Sequence, residues 1–213
     1  NNGDTTYTNQ PGRDSQELFA FSLKNFINVY QYKITHLTNF VTSDMIHSYD
    51  SDWGNNEFWS KPPYNIDSNY WQYEYSQNEI RNRNMYSQEL RIQIDKVPIT
   101  KNLYISNTLG IYYKDLNEKD IATGWILDGE DSGLDSEFDI QNYATYNESK
   151  LHMDNFTIAL NGRYEIMELD YSAIHYHDDG EPTFRLNNLS NHLFGGRLSI
   201  LFNLDEENNL FFN

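Results

Sequence analysis

The sequence contains no cysteine, which excludes a disulfide scaffold, a thiolate metal site and a cysteine nucleophile. It also lacks any stretch of about 18 consecutive apolar residues, so no transmembrane helix is expected. Helix signals are nearly absent, because apolar residues seldom recur at spacings of three and four. Strand signals recur throughout the chain, and the expected fold class is therefore all-β.

Basic residues are few: 15 Lys and Arg stand against 32 Asp and Glu, for a net charge of −17. Binding to nucleic acid needs clustered Lys and Arg, so no nucleic-acid partner is expected. The same deficit disfavours binding to anionic membrane surfaces. Hydrophobic residues make up only 38% of the chain, which is little for a large dry core, but the 15% of aromatic residues argues against disorder.

The run from Tyr86 to Ile94 alternates between apolar and polar side chains. Successive side chains of an extended strand point to opposite faces, so Leu90 and Ile92 share one face while Glu89 and Arg91 share the other. A soluble sheet would turn the apolar face to a core, whereas a membrane barrel turns it to lipid and the charged face to a wet lumen.

Similar patterns predict about eight strands. The predicted ranges are 18–24, 29–41, 85–94, 103–113, 140–150, 156–165 and 194–203, with an eighth strand beginning near residue 209. The fifth of these strands has a poor apolar pattern, and its register is not predicted.

The predicted connections alternate in length. Those after the odd strands are short, at 25–28, 95–102, 151–155 and 204–208, and those after the even strands are long, at 42–84, 114–139 and 167–193. Short periplasmic turns and long extracellular loops alternate in this way in an antiparallel up-and-down transmembrane β-barrel. In a soluble β-sandwich, loop length is not expected to alternate between odd and even strands.

The ends of the sequence predict an internal piece of a longer protein. The chain opens with Asn1, Asn2 and Gly3, without an initiator Met or the features of a signal peptide. It stops at Asn213, just after a new apolar run has begun. Residues 1–213 are therefore expected to be part of one β-barrel domain.

Several short motifs, in their order and spacing, resemble the barrel of TonB-dependent outer-membrane receptors. Residues 87–91 lead into a hairpin that ends with residues 109–113. Residues 37–40 belong to a strand that is followed by 48–55 at the head of a long outer loop. Residues 160–165, Leu-Asn-Gly-Arg-Tyr-Glu, also fit the family pattern.

The resemblance implies a segment of a barrel that has about 22 strands in full. It implies energised uptake of a scarce nutrient, such as a ferric siderophore, a cobalamin-like cofactor or a glycan, across the outer membrane of a Gram-negative bacterium. The implied partners are outer-membrane lipid, the small-molecule nutrient, and a TonB-type energy-transducing protein that acts through a plug domain lying outside the 213 residues. No cofactor is implied.

Aromatic residues are concentrated in the long connection between residues 50 and 75. Exposed aromatic side chains can stack on ligand rings and sugars at a low cost in entropy. They can equally pack against neighbouring loops or form an aromatic girdle at the lipid headgroups. The candidate ligand-binding residues are Trp53, Trp59, Tyr64, Tyr70, Trp71 and Tyr73.

Two motifs are considered as metal sites. Asp50 and Asp52 have the carboxylate spacing of a calcium loop, but Lys61 stands where that loop needs a bidentate Glu, which favours a solvated turn. His175 and His177 have strand spacing and could share a face, with Asp179 or His192 as a third metal ligand. The alternative for the histidines is an exposed polar loop.

No motif indicates catalysis, and the protein is not expected to be an enzyme. Nucleophile elbows, phosphate loops, zinc-protease motifs and dinucleotide fingerprints are all missing. The alternative function is a soluble or cell-surface all-β glycan-binding module that uses the same aromatic residues. The receptor barrel and the glycan-binding module differ in whether the apolar faces of the strands form one continuous outward band or face an enclosed core.

Overall fold

The chain folds as one antiparallel sheet of eight strands, in which each strand pairs with the next one in the sequence. The computed structural model describes residues 7–51, 54–67, 76–124, 132–177, 180–204 and 208–213. The strands are β1 (Arg13–Val29), β2 (Tyr32–Asp50), β3 (Ser76–Thr100), β4 (Leu103–Gly124), β5 (Ser132–Met153), β6 (Phe156–Tyr176), β7 (Thr183–Asn203) and β8 (Asn209–Phe212). One short helix, α1 (Asn56–Trp59), lies between β2 and β3.

This architecture confirms the predicted fold class of an up-and-down β-barrel segment. The sheet is open, because in the described part of the chain β1 pairs only with β2 and β8 only with β7. Among the described residues, no helix has the length and the apolar character needed to cross a membrane.

The strands are longer than the sequence predicts. The three long connections span only residues 51–75, 125–131 and 177–182, so most of the predicted loops 114–139 and 167–193 are strand. The connections after β1, β3 and β5 are two residues each. Short and long connections still alternate, but the last two long connections are much shorter than expected.

Two turns lie later in the chain than predicted. The first is at Tyr30 and Gln31, with Tyr30 at a positive φ of 55°, rather than at residues 25–28. The predicted turn at 95–102 is mostly strand, and the chain reverses only at Lys101 and Asn102. The signals that predicted an earlier turn coincide with shifts of register in β3, between Ile94 and Val97 and again around Pro98.

The registers assign every strand residue to one of two faces. Leu90, Ile92, Leu160, Leu198 and Ile200 lie on one face, and Glu89, Arg91, Arg163 and Arg197 lie on the other, as the sequence predicts. The register of β5 is now defined as well, because Tyr143 pairs with Tyr113 on β4 and Ile166 on β6.

The two faces differ in how closely their side chains approach one another. Ser87 and Asn142 are 4% and 5% exposed, although no second layer among the described residues covers their face, whereas Leu160 on the opposite face is 60% exposed. A curved sheet brings side chains together on its concave side and spreads them on its convex side. We therefore name the face of Ser87 and Asn142 the inner face and the face of Leu160 the outer face.

Candidate functional site

A row of aromatic side chains crosses the outer face and divides the sheet into two zones. It consists of Phe21, Phe40, Tyr86, Tyr113, Tyr143, Tyr164 and Phe194, one from each of β1 to β7. Two neighbouring pairs of rings are in contact, with centroids 6.5 Å apart for Tyr86 and Tyr113 and 5.1 Å apart for Tyr113 and Tyr143. The lower zone runs from this aromatic row to the short turns, and the upper zone runs from it to the long connections.

The apolar side chains change faces at the aromatic row. In the lower zone of β4, Leu109 and Ile111 lie on the outer face, but in the upper zone Leu116 lies on the inner face. In β6, Ile158 and Leu160 are on the outer face while Leu169 is on the inner face. Directly above the row the outer face carries the carboxylates of Asp115, Asp139 and Glu168. Apolar residues return to this face only nearer the long connections, at Ile80, Ile121 and Ile174.

The upper zone carries a continuous apolar row on its inner face. Its six members are register partners from strand to strand: Val41, Met85, Leu116, Ile140, Leu169 and Leu189. Beyond it, the rings of Phe138 and Tyr171 stack at 4.6 Å on the same face. This inner apolar row gives the wall of the upper zone a surface that can hold an apolar or aromatic ligand.

Sequence reasoning missed the inner apolar row because it placed three of the six residues, Leu116, Leu169 and Leu189, in loops. A signal was present, since Leu169 and Tyr171 continue the period of two along β6 in the opposite phase from Leu160. The row would have been detected by extending each predicted strand and testing for apolar residues at both odd and even positions.

Paired charges lie above the inner apolar row. Arg81 donates hydrogen bonds to Asp120 at 2.7 and 2.9 Å and to Glu79 at 2.6 Å, and Arg83 pairs with Glu118. The hydrogen bond to Asp120 is the largest cause that raises the pKa of Arg81 above its usual range, so this guanidinium stays charged.

A polar trough of about 620 Å³ occupies the inner face of the lower zone. Arg91, Arg163 and Arg197 line it together with Glu89 and Tyr146. Two of the arginines are neutralised locally, because Arg91 donates to Glu89 at 2.6 Å and Arg163 donates to Glu165 at 2.7 Å. Arg197 donates instead to Ser199 at 3.0 Å and to Asn213.

A glycine determines how the trough is built. Tyr146 reaches across β4 to donate a hydrogen bond to Glu89 on β3, and its ring covers Gly110. A Cβ at Gly110 would lie 2.1 Å from the Tyr146 ring. The absence of a side chain at this position is therefore what lets the tyrosine cross the strand.

The structure describes two of the six predicted ligand-binding aromatics, Trp59 and Tyr64. Trp59 packs edge-on against Tyr64 at 4.9 Å and against Phe58 at 5.0 Å. Tyr64 remains 49% exposed. Trp53, Tyr70, Trp71 and Tyr73 lie outside the described residues. Ligand contact by these six residues stays a prediction, with Tyr64 more available to a ligand than Trp59.

Asp50, the first carboxylate of the predicted calcium motif, makes a structural hydrogen bond. Asp50 is 5% exposed and accepts a hydrogen bond from the backbone N–H of Asn9 at 2.9 Å. It therefore anchors the segment that precedes β1. Asp52 lies outside the described residues.

The two candidate histidines are close together, but the proposed third ligands are not both available. The rings of His175 and His177 are 4.1 Å apart, and His175 belongs to β6 rather than to a loop. His192 lies at the aromatic row on the outer face, where it hydrogen-bonds Tyr164 at 2.6 Å, so it cannot complete a site with His175 on the inner face. Asp179 lies outside the described residues, and no three His, Asp or Glu among those described are grouped to hold a metal ion.

Comparison with known proteins finds similarity at the level of structure only. No family model and no curated protein sequence matches the chain. The ferric yersiniabactin uptake receptor FyuA of Yersinia pestis matches with a TM-score of 0.70 at 14% sequence identity. The match covers 90% of this chain and 26% of that receptor, so the chain spans about a quarter of the receptor's length.

The fold is that of a β-barrel segment. Its strand order, its open sheet and its structural similarity to FyuA agree on this point. In such a segment the inner face, with the inner apolar row above the polar trough, is the wall that faces the lumen.

Proposed function

We propose that the chain is part of the transmembrane barrel of a TonB-dependent receptor in the outer membrane of a Gram-negative bacterium. The receptor takes up a scarce nutrient, such as a ferric siderophore or another metal chelate, and it is not an enzyme. The observation that carries the proposal is the change of apolar face at the aromatic row. An outward apolar band bounded by aromatic residues is the arrangement that a barrel needs in a bilayer.

The two zones have separate tasks in this proposal. The lower zone contacts outer-membrane lipid with its outer face and encloses a wet lumen with its inner face. The upper zone stands above the membrane, so its outer face meets water, and Asp115, Asp139 and Asp170 lie on that face. Energy for uptake comes from a TonB-type protein that acts through a plug domain of the intact receptor. Neither a cofactor nor nucleic acid takes part.

The inner apolar row and the loop aromatics form the ligand-contacting surface. A nutrient that enters from outside passes the predicted residues of the 51–75 connection first and then the wall at Leu116, Ile140 and Leu169. Apolar contact with the ligand at this level stabilises binding before the ligand reaches the charged trough below.

The structure favours this function over the glycan-binding module. That alternative requires the apolar strand faces to cover an enclosed core. Instead, Leu109, Ile111, Leu160 and Leu198 are between 47% and 60% exposed, and their register partners continue the same surface from strand to strand. A soluble module would not leave this band in water.

The test uses the intact protein that contains this chain, produced in a strain that lacks its own copy. Uptake of radiolabelled iron is measured with a panel of ferric siderophores, with and without an uncoupler of the proton-motive force. The double variant Leu116→Asp with Leu169→Asp should weaken ligand binding about a hundredfold, because the loss of each leucine contact with the ligand is worth about 1.5 kcal/mol.

The matched control is Ile121→Asp, on the outer face of the same zone. It should leave binding and heat-modifiable migration unchanged, and the double variant should also keep its heat-modifiable migration. The proposal fails if the assembled protein transports none of the chelates, or if its transport is insensitive to the uncoupler.

A further inference from the structure

Two aromatic side chains stand together on the inner face just above the inner apolar row. Phe138 on β5 and Tyr171 on β6 are register partners, and their ring centroids are 4.6 Å apart at an interplanar angle of 36°. Side chains stand roughly perpendicular to a sheet, so two rings that face each other across neighbouring strands turn their edges away from the wall. We call Phe138 and Tyr171 the aromatic pair.

The aromatic pair offers a specific kind of contact. The edge of an aromatic ring carries the positive part of its quadrupole and prefers the negative face of another ring. Directly below the pair, Ile140 and Leu169 are register partners on the same face and supply aliphatic surface. This part of the wall is therefore suited to a ligand that combines an aromatic ring with an apolar body.

The charges around the aromatic pair are balanced. From the level of the pair to the long connections, the described inner face of β3 to β7 carries three carboxylates and three guanidiniums, which belong to Glu79, Glu118, Asp120, Arg81, Arg83 and Arg185. Arg81 pairs with Glu79 at 2.6 Å and with Asp120 at 2.7 Å, and Arg83 pairs with Glu118 at the register level of Phe138. The wall thus has no excess of positive charge for an anionic ligand.

The long connections that join the upper ends of the strands are strongly acidic in sequence. Residues 51–75, 125–131 and 177–182 contain four, three and three Asp or Glu residues, and Lys61 is the only Lys or Arg among them. In the proposed function a ligand enters past these connections. The potential there favours the approach of neutral and cationic ligands and opposes that of polyanions.

We infer that the transported ligand is a metal chelate of zero or positive net charge with an aromatic ring on its periphery. The inference rests on the proposed function and narrows its substrate class. The ring of the chelate lies against the edges of Phe138 and Tyr171, and its apolar body continues onto Ile140 and Leu169. A chelate with several negative charges, such as a ferric tris-catecholate, is repelled at the acidic connections and finds only paired guanidiniums beside the aromatic pair.

The first experiment measures uptake by the intact wild-type protein from a panel of ferric chelates that differ in charge and in aromatic content. The panel contains a neutral hydroxamate, the same hydroxamate with a pendant phenyl ring, a neutral phenolate chelate, a tris-catecholate and citrate. A neutral chelate with a ring should be transported best. Preferred transport of the tris-catecholate or of citrate would overturn the inference, as would equal transport of the hydroxamate with and without its phenyl ring.

The second experiment tests the aromatic pair with the chelate that is transported best. Phe138→Leu with Tyr171→Leu keeps apolar bulk but removes both rings, and it should weaken binding about tenfold, as measured by quenching of intrinsic fluorescence in detergent. The matched control is Phe184→Leu, because Phe184 is 69% exposed on the outer face of the same zone. The control should bind normally, and unchanged binding by the double variant would overturn the inference.

The third experiment tests the role of charge without altering the protein. A doubly sulfonated analogue of the same chelate should associate about tenfold more slowly than its parent at an ionic strength of about 0.01 M. The difference should nearly vanish at about 1 M, where the Debye length falls from about 30 Å to about 3 Å. Equal association rates at low salt, or a difference that salt does not reduce, would contradict the inference.

Failure of the proposed function has a different signature. A protein that transports none of the chelates, or whose transport is insensitive to the uncoupler, contradicts that function as a whole. Uncoupler-sensitive transport of a polyanionic or purely aliphatic chelate leaves the proposed function in place and overturns the narrower substrate class alone.

Discussion

At the scale of single residues, Gly110 is a position on the inner face that leaves no room for a side chain. Its Cβ position is already filled by the ring of Tyr146, which lies 2.1 Å away and continues to Glu89. We expect Gly110→Ala to displace Tyr146, break its hydrogen bond to Glu89 and destabilise the barrel by about 1 to 3 kcal/mol, the usual cost of overpacking. Reversible unfolding of the intact barrel in urea, in the presence of lipid vesicles, measures this cost.

Gly162 provides the matched control. It lies on the outer face two strands from Gly110, and a Cβ there would meet no atom within 4 Å. Gly162→Ala should therefore change stability little. Equal costs for the two substitutions would show that Tyr146 does not lie across β4.

The residues of the candidate site were only partly accessible to sequence reasoning. The cluster of aromatic residues in the 50–75 connection was recognised from composition alone. The packing of Trp59 against Phe58 and Tyr64 could not be predicted, because it depends on the short helix α1 and on the path of the chain after it. The inner apolar row was missed because its members come from six strands and share a level only through their registers.

At the scale of the strand, β4 offers a direct test of where the membrane ends. Ile111 and Ile121 are the same residue type on the same outer face, 55% and 42% exposed, but the aromatic row lies between them. Ile111 lies two residues below the row, so Ile111→Arg should cost about 1 to 2 kcal/mol, between the values for the interface and the midplane of a bilayer, and Ile121→Arg should cost close to nothing. Folding titrations of the two variants into lipid vesicles measure the difference, and similar costs for both would place the aromatic row elsewhere than at the membrane boundary.

The existence and order of the strands followed from the sequence, but their upper ends did not. The alternation that includes Leu109 and Ile111 identifies β4 only as far as its apolar residues stay on the outer face. Beyond Tyr113 the outer face becomes polar and Leu116 turns inward, so the pattern appears to end although the hydrogen-bonded ladder continues to Gly124. The alternation of apolar and polar side chains depends on what each face of a strand contacts. Because β4 crosses the level where the apolar side chains change faces, one alternating pattern describes only part of the strand.

The first turn was misplaced for a related reason. Asn25 and Asn28 favour turns in isolation. In the sheet, Asn28 lies on the polar inner face, where such a side chain is compatible with a strand, and β1 continues to Val29. Local turn preference was therefore overridden by pairing with β2.

At the scale of the whole molecule, the open sheet sets how this chain behaves alone. Its outer face exposes the apolar band, and β1 and most of β7 have one unpaired edge in the described residues. Unpaired edges and exposed apolar surface both favour association. We expect the 213-residue chain in water to aggregate or to remain unfolded. Sedimentation velocity and thermal melting test this, and a monodisperse monomer with a cooperative transition would contradict the membrane assignment.

The change of apolar face also bears on how the chain avoids misfolding. Plain alternation defines the register between two strands only up to steps of two residues, since a slip by two returns every side chain to its own face. In this sheet a slip by two would move the switching level of one strand by about 7 Å along its neighbours and place carboxylates in the apolar band of the outer face. The aromatic residue of each strand thus marks the level at which its apolar face changes. In the native registers these marks step by two residues from β3 to β4 and from β5 to β6, and a slip of one strand would disturb that arrangement.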